Sequence, residues 1–221
     1  MYLAIEGVIG VGKTTLARLL QPAFQSDLVL EIFEENPFLS DFYADRERYA
    51  FQTQIFFLLS RYHQQRRSVP EILHRKASLI ADYTFAKDAL FASINLRGDE
   101  LEMYRRVHDA LAEKIPSPDL VLYLRADTKV LMQRIASRDR PYERNMDWDY
   151  IERLNLAYDA FFIDPQINHQ DVPTLVLDTN DLDYVRSEQD LKFVEQRVRQ
   201  ALQLPPYQPE LPLDSTYAHH E

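Results

Sequence analysis

Tyr2-Leu3-Ala4-Ile5-Glu6-Gly7-Val8-Ile9-Gly10-Val11-Gly12-Lys13-Thr14-Thr15-Leu16 opens on an apolar run, crosses three glycines within six positions and ends where a helical pattern begins. The spacing Gly7, four residues, then Gly12-Lys13-Thr14 is that of a phosphate-binding loop. Backbone N–H groups from Gly7 to Thr15 can wrap a polyphosphate with no Cβ in the way. Lys13 reaches the terminal phosphates, and the Thr14 hydroxyl holds Mg²⁺. The flanks agree, because a strand runs into the loop and Leu16, Leu19 and Leu20 continue it as a helix, whose N-terminus favours anions.

Working outward, four more short apolar runs read as buried strands: Leu28–Ile32, Ser78–Asp82, Leu120–Leu124 and Thr174–Leu177. Helical patterns fill the intervals between them. Strands alternating with helices predict an α/β fold of the P-loop NTPase type, a five-stranded parallel sheet with helices on both faces. Ligands in such sheets sit beyond the carboxyl ends of the strands. Attention therefore falls on the loop, on Glu31 with Glu34 and Glu35, and on Asp82-Tyr83. Asn36-Pro37 reads as an N-cap with proline at the first helical position, opening a short helix to about Tyr43. Longer helices are expected from about Arg46 to Arg67 and from about Phe85 to Ile115, the second interrupted near Arg97-Gly98-Asp99. Residues 1–203 read as one domain. Residues 204–221, with Pro205, Pro206, Pro209 and Pro212, read as an extended tail.

The bulk numbers bound the function. A formal net charge of -10 disfavours nucleic acid and anionic membranes as partners, because the summed field repels polyanions. The absence of cysteine excludes disulfides and thiolate metal sites, and the six histidines show no metal-ligand spacing. With a core strand at the start instead of a leader, and no apolar stretch near the roughly 20 residues a bilayer requires, the cytoplasm is the expected compartment.

The stretch Glu31-Ile32-Phe33-Glu34-Glu35-Asn36-Pro37-Phe38-Leu39, with Phe42-Tyr43, Phe51-Gln52-Thr53-Gln54 and Arg61, resembles the deoxynucleoside kinase family over roughly residues 1 to 180. The residues support a matching chemistry. Glu31 at a strand end is placed to accept the proton of an attacking hydroxyl, with Glu34 its nearest rival. Gln54 and Arg61, seven residues apart, share one face of a helix otherwise crowded with apolar side chains, where a nucleobase edge would satisfy a buried amide.

The resemblance implies further roles. Glu31 is the base toward a sugar 5′-hydroxyl, Gln54 reads the nucleobase, and Arg61 pairs with Asp88 to close the pocket. Members with that pair accept purine nucleosides or deoxycytidine. Tyr43 and Glu143 hold the sugar 3′-hydroxyl from opposite sides. Arg134, Arg138, Arg140 and Arg144 look like the arginine-rich lid, with Arg134, Arg138 and Arg140 on the donor phosphates. Asp178-Thr179-Asn180-Asp181 resembles the loop at the donor adenine. Asp82 would help hold Mg²⁺ with Thr14 or assist the hydroxyl. The chain departs from the family in the triplet Asp82-Tyr83-Thr84, where arginine is expected at position 83; Arg61, Arg66 or a lid arginine would then have to compensate.

The expected activity is ATP-dependent phosphorylation of a deoxynucleoside 5′-hydroxyl, with Lys13, Glu31, Asp82 and Arg138 as the catalytic residues, in a homodimer of the family type. Two rivals fit less well. A nucleoside monophosphate kinase needs basic residues where Glu31, Glu34, Glu35 and Asp82 stand. A nucleotide-dependent regulatory P-loop protein is the second, and the Asn-Lys-x-Asp run usual in guanine-reading switches is absent from the chain.

Overall fold

Tyr2–Gly7 forms strand β1, and a computed structural model of the chain, which describes residues 1–163 and 172–206 apart from the side chain of Glu34, buries every residue of it. A strand this apolar has to be covered on both faces, and helix layers around a parallel sheet do so. The loop after β1 leads into α1 (Lys13–Phe24), which returns the chain to β2 (Ser26–Val29). Next come α2 (Leu39–Ala44), α3 (Arg46–His74), β3 (Ser78–Ala81), α4 (Lys87–Asn95) and α5 (Gly98–Ala112). The second half runs through β4 (Leu120–Arg125), α6 (Thr128–Arg138), α7 (Trp148–Ile163), β5 (Thr174–Asp178) and α8 (Glu188–Ala201).

The sheet has the order β2-β3-β1-β4-β5, and every pairing is parallel. All five expected strands are present, with β1 in the middle. Because the chain leaves β1 toward β2 on one side and later crosses to β4 on the other, the crevice of the sheet opens at the end of β1, where the phosphate loop lies.

Three elements differ from expectation. β2 ends at Val29 instead of Ile32, because the Glu31 N–H leaves the ladder to donate to Asp82 Oδ1 at 2.7 Å. Asn36 does not cap a helix at Pro37. Its Oδ1 accepts from Phe38 N at 3.0 Å and its Nδ2 donates to the Thr53 carbonyl at 3.2 Å, which ties the loop to α3 and delays α2 to Leu39. Finally, α3 continues past Arg67 to His74 despite Pro70. A proline inside a helix costs about 3 kcal/mol. Val69 and Ile72 are buried against Leu79 and Ala81 of β3, and at roughly 1.5–3 kcal/mol per buried side chain they offset it. The expected break near Gly98 does separate α4 from α5. Residues 207–221 of the proline-rich tail lie outside the described residues. Among the described residues no helix is long and apolar enough to cross a membrane.

Candidate active site

Close packing dictates the glycines of the loop. Gly7 has φ +147°, and a Cβ there would lie 2.5 Å from the Leu124 carbonyl oxygen of β4. Gly12 has φ +105°, and its Cβ would meet the Tyr184 hydroxyl at 2.5 Å. That hydroxyl donates to the Val11 carbonyl at 3.1 Å. Lys13 folds back over the loop, its Nζ donating to the Gly7 carbonyl at 2.6 Å and the Val8 carbonyl at 3.3 Å. Beneath it the buried Glu6 accepts from the Thr84 N–H and, at 2.9 Å, from the Thr84 hydroxyl, which locks the loop to the segment after β3.

Asp82, buried just after β3, ties the first turn of α1 to the segment after β2. One carboxylate oxygen accepts from the Thr14 hydroxyl and the other from the Glu31 N–H. Glu31 is gripped in turn by two cations. Arg61 Nε donates to Oε1 at 2.9 Å and an Nη of the same guanidinium joins it, while Lys87 Nζ donates to Oε2 at 2.7 Å. Burial alone would raise the Glu31 carboxyl, but Arg61 and then Lys87 outweigh it and hold the group well below the usual carboxylate range. The second Nη of Arg61 pairs with the fully buried Asp88. Burial lowers Lys13 to about 8, helped by repulsion from Lys87.

These groups border a cavity of about 330 Å³, within the range of small-ligand sites. Lys13, Thr14, Glu31, Tyr43, Gln54, Arg61, Arg138, Arg140 and Glu143 all line it, with Phe57, Phe91 and Tyr158 among its apolar walls. Glu31 and Gln54, distant in sequence, thus share one chamber with the phosphate loop. Asp82 and Asp88 stand behind this lining as partners of Thr14 and Arg61. Arg134 faces elsewhere. It bridges the Val11 carbonyl at 3.3 Å and the Thr179 carbonyl at 2.6 Å, fastening the loop to the Asp178–Asp181 turn. Arg144 pairs with Asp139 on the surface. The lid closes on α2 and on the turn before it: Tyr142 stacks on Tyr43 of α2 with ring centroids 5.9 Å apart, and Arg140 lies 4.1 Å over Phe33 of the turn. Arg138 is bidentate to Glu143, with both contacts at 2.6 Å.

The family model for deoxynucleoside kinase matches residues 3–203. The chain belongs to the deoxynucleoside kinase family. A deoxyguanosine kinase of Bacillus subtilis (strain 168) is 32% identical over 201 residues, 91% of this chain and 97% of that protein. A deoxyadenosine kinase of Dictyostelium discoideum is 32% identical over 168 residues, 74% of this chain and 67% of that protein. A solved structure of deoxyadenosine kinase from M. mycoides with the products dCMP and dCDP bound superposes with a TM-score of 0.77 at 26% identity, covering 90% of this chain and all of that one. The chain is therefore a phosphotransferase, a deoxynucleoside kinase that uses ATP to phosphorylate the 5′-hydroxyl.

For this kinase, sequence reasoning missed Lys87 as a partner of Glu31. The available signal was a lysine beside Asp88 in the otherwise apolar run Phe85-Ala86-Lys87-Asp88-Ala89-Leu90-Phe91. Of the named compensators for position 83, Arg61 does reach Glu31. Arg66 donates to the Tyr62 hydroxyl at 3.0 Å and borders a separate surface groove with His63 and Arg67.

Proposed function

We propose that Gln54 reads the edge of a purine or cytosine base in this cavity, with Arg61 and Asp88 closing the pocket beside it and Tyr43 and Glu143 taking the sugar 3′-hydroxyl. The observation that carries the reading is the meeting of Glu31, Gln54 and Lys13 in one chamber. In the step itself the 5′-oxygen bonds to the γ-phosphorus, the bond from that phosphorus to the β–γ bridging oxygen breaks, and ADP leaves with the electron pair. The hydroxyl proton passes to Glu31. A carboxylate held so low is a weak base toward a resting alcohol. It serves by fixing the hydroxyl's direction and taking the proton once bonding to phosphorus has acidified it, which suits a loose transition state where positioning and charge dominate.

Lys13 supports the β- and γ-phosphates, and Arg138 and Arg140 of the lid offset charge on the transferred group. Thr14 and Asp82 present a hydroxyl and a carboxylate already in contact, oxygen donors suited to Mg²⁺. When bound, that ion neutralises charge on the phosphate oxygens.

Replacing Glu31 by Gln keeps the shape and removes the proton acceptor. The expected result is a fall in kcat of about 10²–10⁴-fold with ATP binding retained, read on a panel of the four deoxynucleosides and their monophosphates. Full turnover by that variant, or preference for thymidine or for a monophosphate, overturns the reading. We also infer a cytoplasmic homodimer in which residues 1–203 form the catalytic domain and 204–221 a tail. α3 and α5 pack side by side, and Leu59, Met103 and Val107 on them are exposed, which supports that face as the interface.

A further inference from the structure

Tyr83 follows the strand-end carboxylate Asp82, at the position where the resemblance leads one to expect a cation. Its side chain is fully buried, its hydroxyl donates to Gln64, and it is not among the groups that line the cavity. Four residues on, Lys87 does line the cavity, although it is only 3% exposed. Its Nζ stands 2.7 Å from Glu31 Oε2 and 5.4 Å from the centroid of the Tyr83 ring. Burying an ammonium is costly unless a carboxylate and further polar groups receive it, and here the Glu31 carboxylate and the face of the Tyr83 ring do so.

We propose that Lys87 supplies the positive charge that tyrosine at position 83 withholds, holding Glu31 toward the acceptor hydroxyl and offering its remaining N–H groups to the transferred phosphoryl. The inference rests on the reading of Glu31 as proton acceptor. Arg61 grips Glu31 as well, but its guanidinium is shared with Asp88, Nε and one Nη going to Glu31 and the other Nη to Asp88. An ammonium has three donors, and Glu31 engages one of them. Lys87 also stands near enough to Lys13 for the two cations to repel, and both line the same cavity. Lys87 acts on Glu31 after β2 and on Lys13 of α1; Glu31 also feels Arg61 of α3, and Lys13 also feels Glu6 of β1 and Asp82 after β3. The hydroxyl proton goes to Glu31.

The test pairs Lys87→Met, which keeps the length and loses the charge, with Lys87→Arg, both checked for folding by circular dichroism and assayed for kcat and for the KM of each substrate. Lys87→Met is expected to lower kcat by about 10²–10³-fold, the cost of removing one donor from a developing charge, with both KM values little changed. Lys87→Arg should recover most of kcat, a rescue that loss of packing would not allow. If Lys87→Met does not fold, Lys87→Gln is read for the same loss. A folded, uncharged variant with wild-type kcat, or a Lys87→Arg variant as slow as Lys87→Met, overturns the proposal. Glu31→Gln separates the two claims: if it is inactive while the Lys87 variants behave as wild type, only the role of Lys87 falls; if it is active, the reading of Glu31 falls first.

Discussion

Lys13 meets opposing demands at the scale of one side chain. In the proposed role it carries charge for the triphosphate, yet burial, with repulsion from Lys87 next in size, lowers it to about 8. Because kcat/KM reports the free enzyme, kcat/KM for ATP should fall as pH rises through about 8, while kcat at saturating ATP holds to higher pH because a bound polyphosphate favours the charged form. A kcat/KM for ATP that stays flat into the ordinary lysine range contradicts this. Stability follows the signs of the two shifts. Lys13, depressed in the fold, penalises the folded state at neutral pH, and the penalty fades between about 8 and the unfolded lysine value. Glu31 works the other way: its depressed carboxyl adds stability above the ordinary carboxylate range, and that stability is lost as pH falls through its folded value.

Among elements, the buried ion pair between α3 and α4 is the most exposed to mutation. Asp88→Asn leaves one edge of the Arg61 guanidinium buried without its counter-charge, and a loss of about 3–5 kcal/mol is expected in urea unfolding. The double variant Arg61→Met with Asp88→Leu should lose less than the sum of the two single changes, since it removes both charges together. Additive losses would show that the pair is not coupled. The same elements show what could be read in advance. The unit of β1, loop and α1 was legible because its chemistry is contiguous and its glycines answer to backbone sterics within a few residues. Gln54 and Arg61 were legible as one helix face, whereas Asp88 as the partner rested on resemblance. Lys87 escaped because its meaning depends on which face of α4 turns inward and on Tyr83 turning away toward Gln64, both decided by tertiary packing. β2 was placed late for a similar reason: a side chain from another strand, Asp82, takes the N–H that would have extended the ladder. Arg134 looked like a lid cation because spacing shows that it shares a face with Arg138, but spacing does not show that a carbonyl of the loop already waits beneath it.

At the scale of the whole molecule, an acidic chain of net charge -10 concentrates Lys13, Arg61, Lys87, Arg138 and Arg140 around one chamber. The local field draws a triphosphate inward while the outer surface discourages longer polyanions. The exposed apolar side chains of α3 and α5 belong to this scale too. Light scattering should find a dimer, and Met103→Glu combined with Val107→Glu should shift it toward monomer without unfolding, since both residues are exposed within one subunit. A wild-type monomer, or a variant that stays dimeric, removes that face from consideration. If the proposed roles hold, Glu143 has two claimants, the guanidinium of Arg138, which holds it at 2.6 Å through both contacts, and the sugar of the incoming nucleoside. A sugar that won the carboxylate would set the guanidinium loose to swing over the phosphates at the moment a worthwhile recipient had arrived. Until then that lid cation would stay moored, and water, which cannot contest the mooring, would be a poor thief of the phosphoryl group.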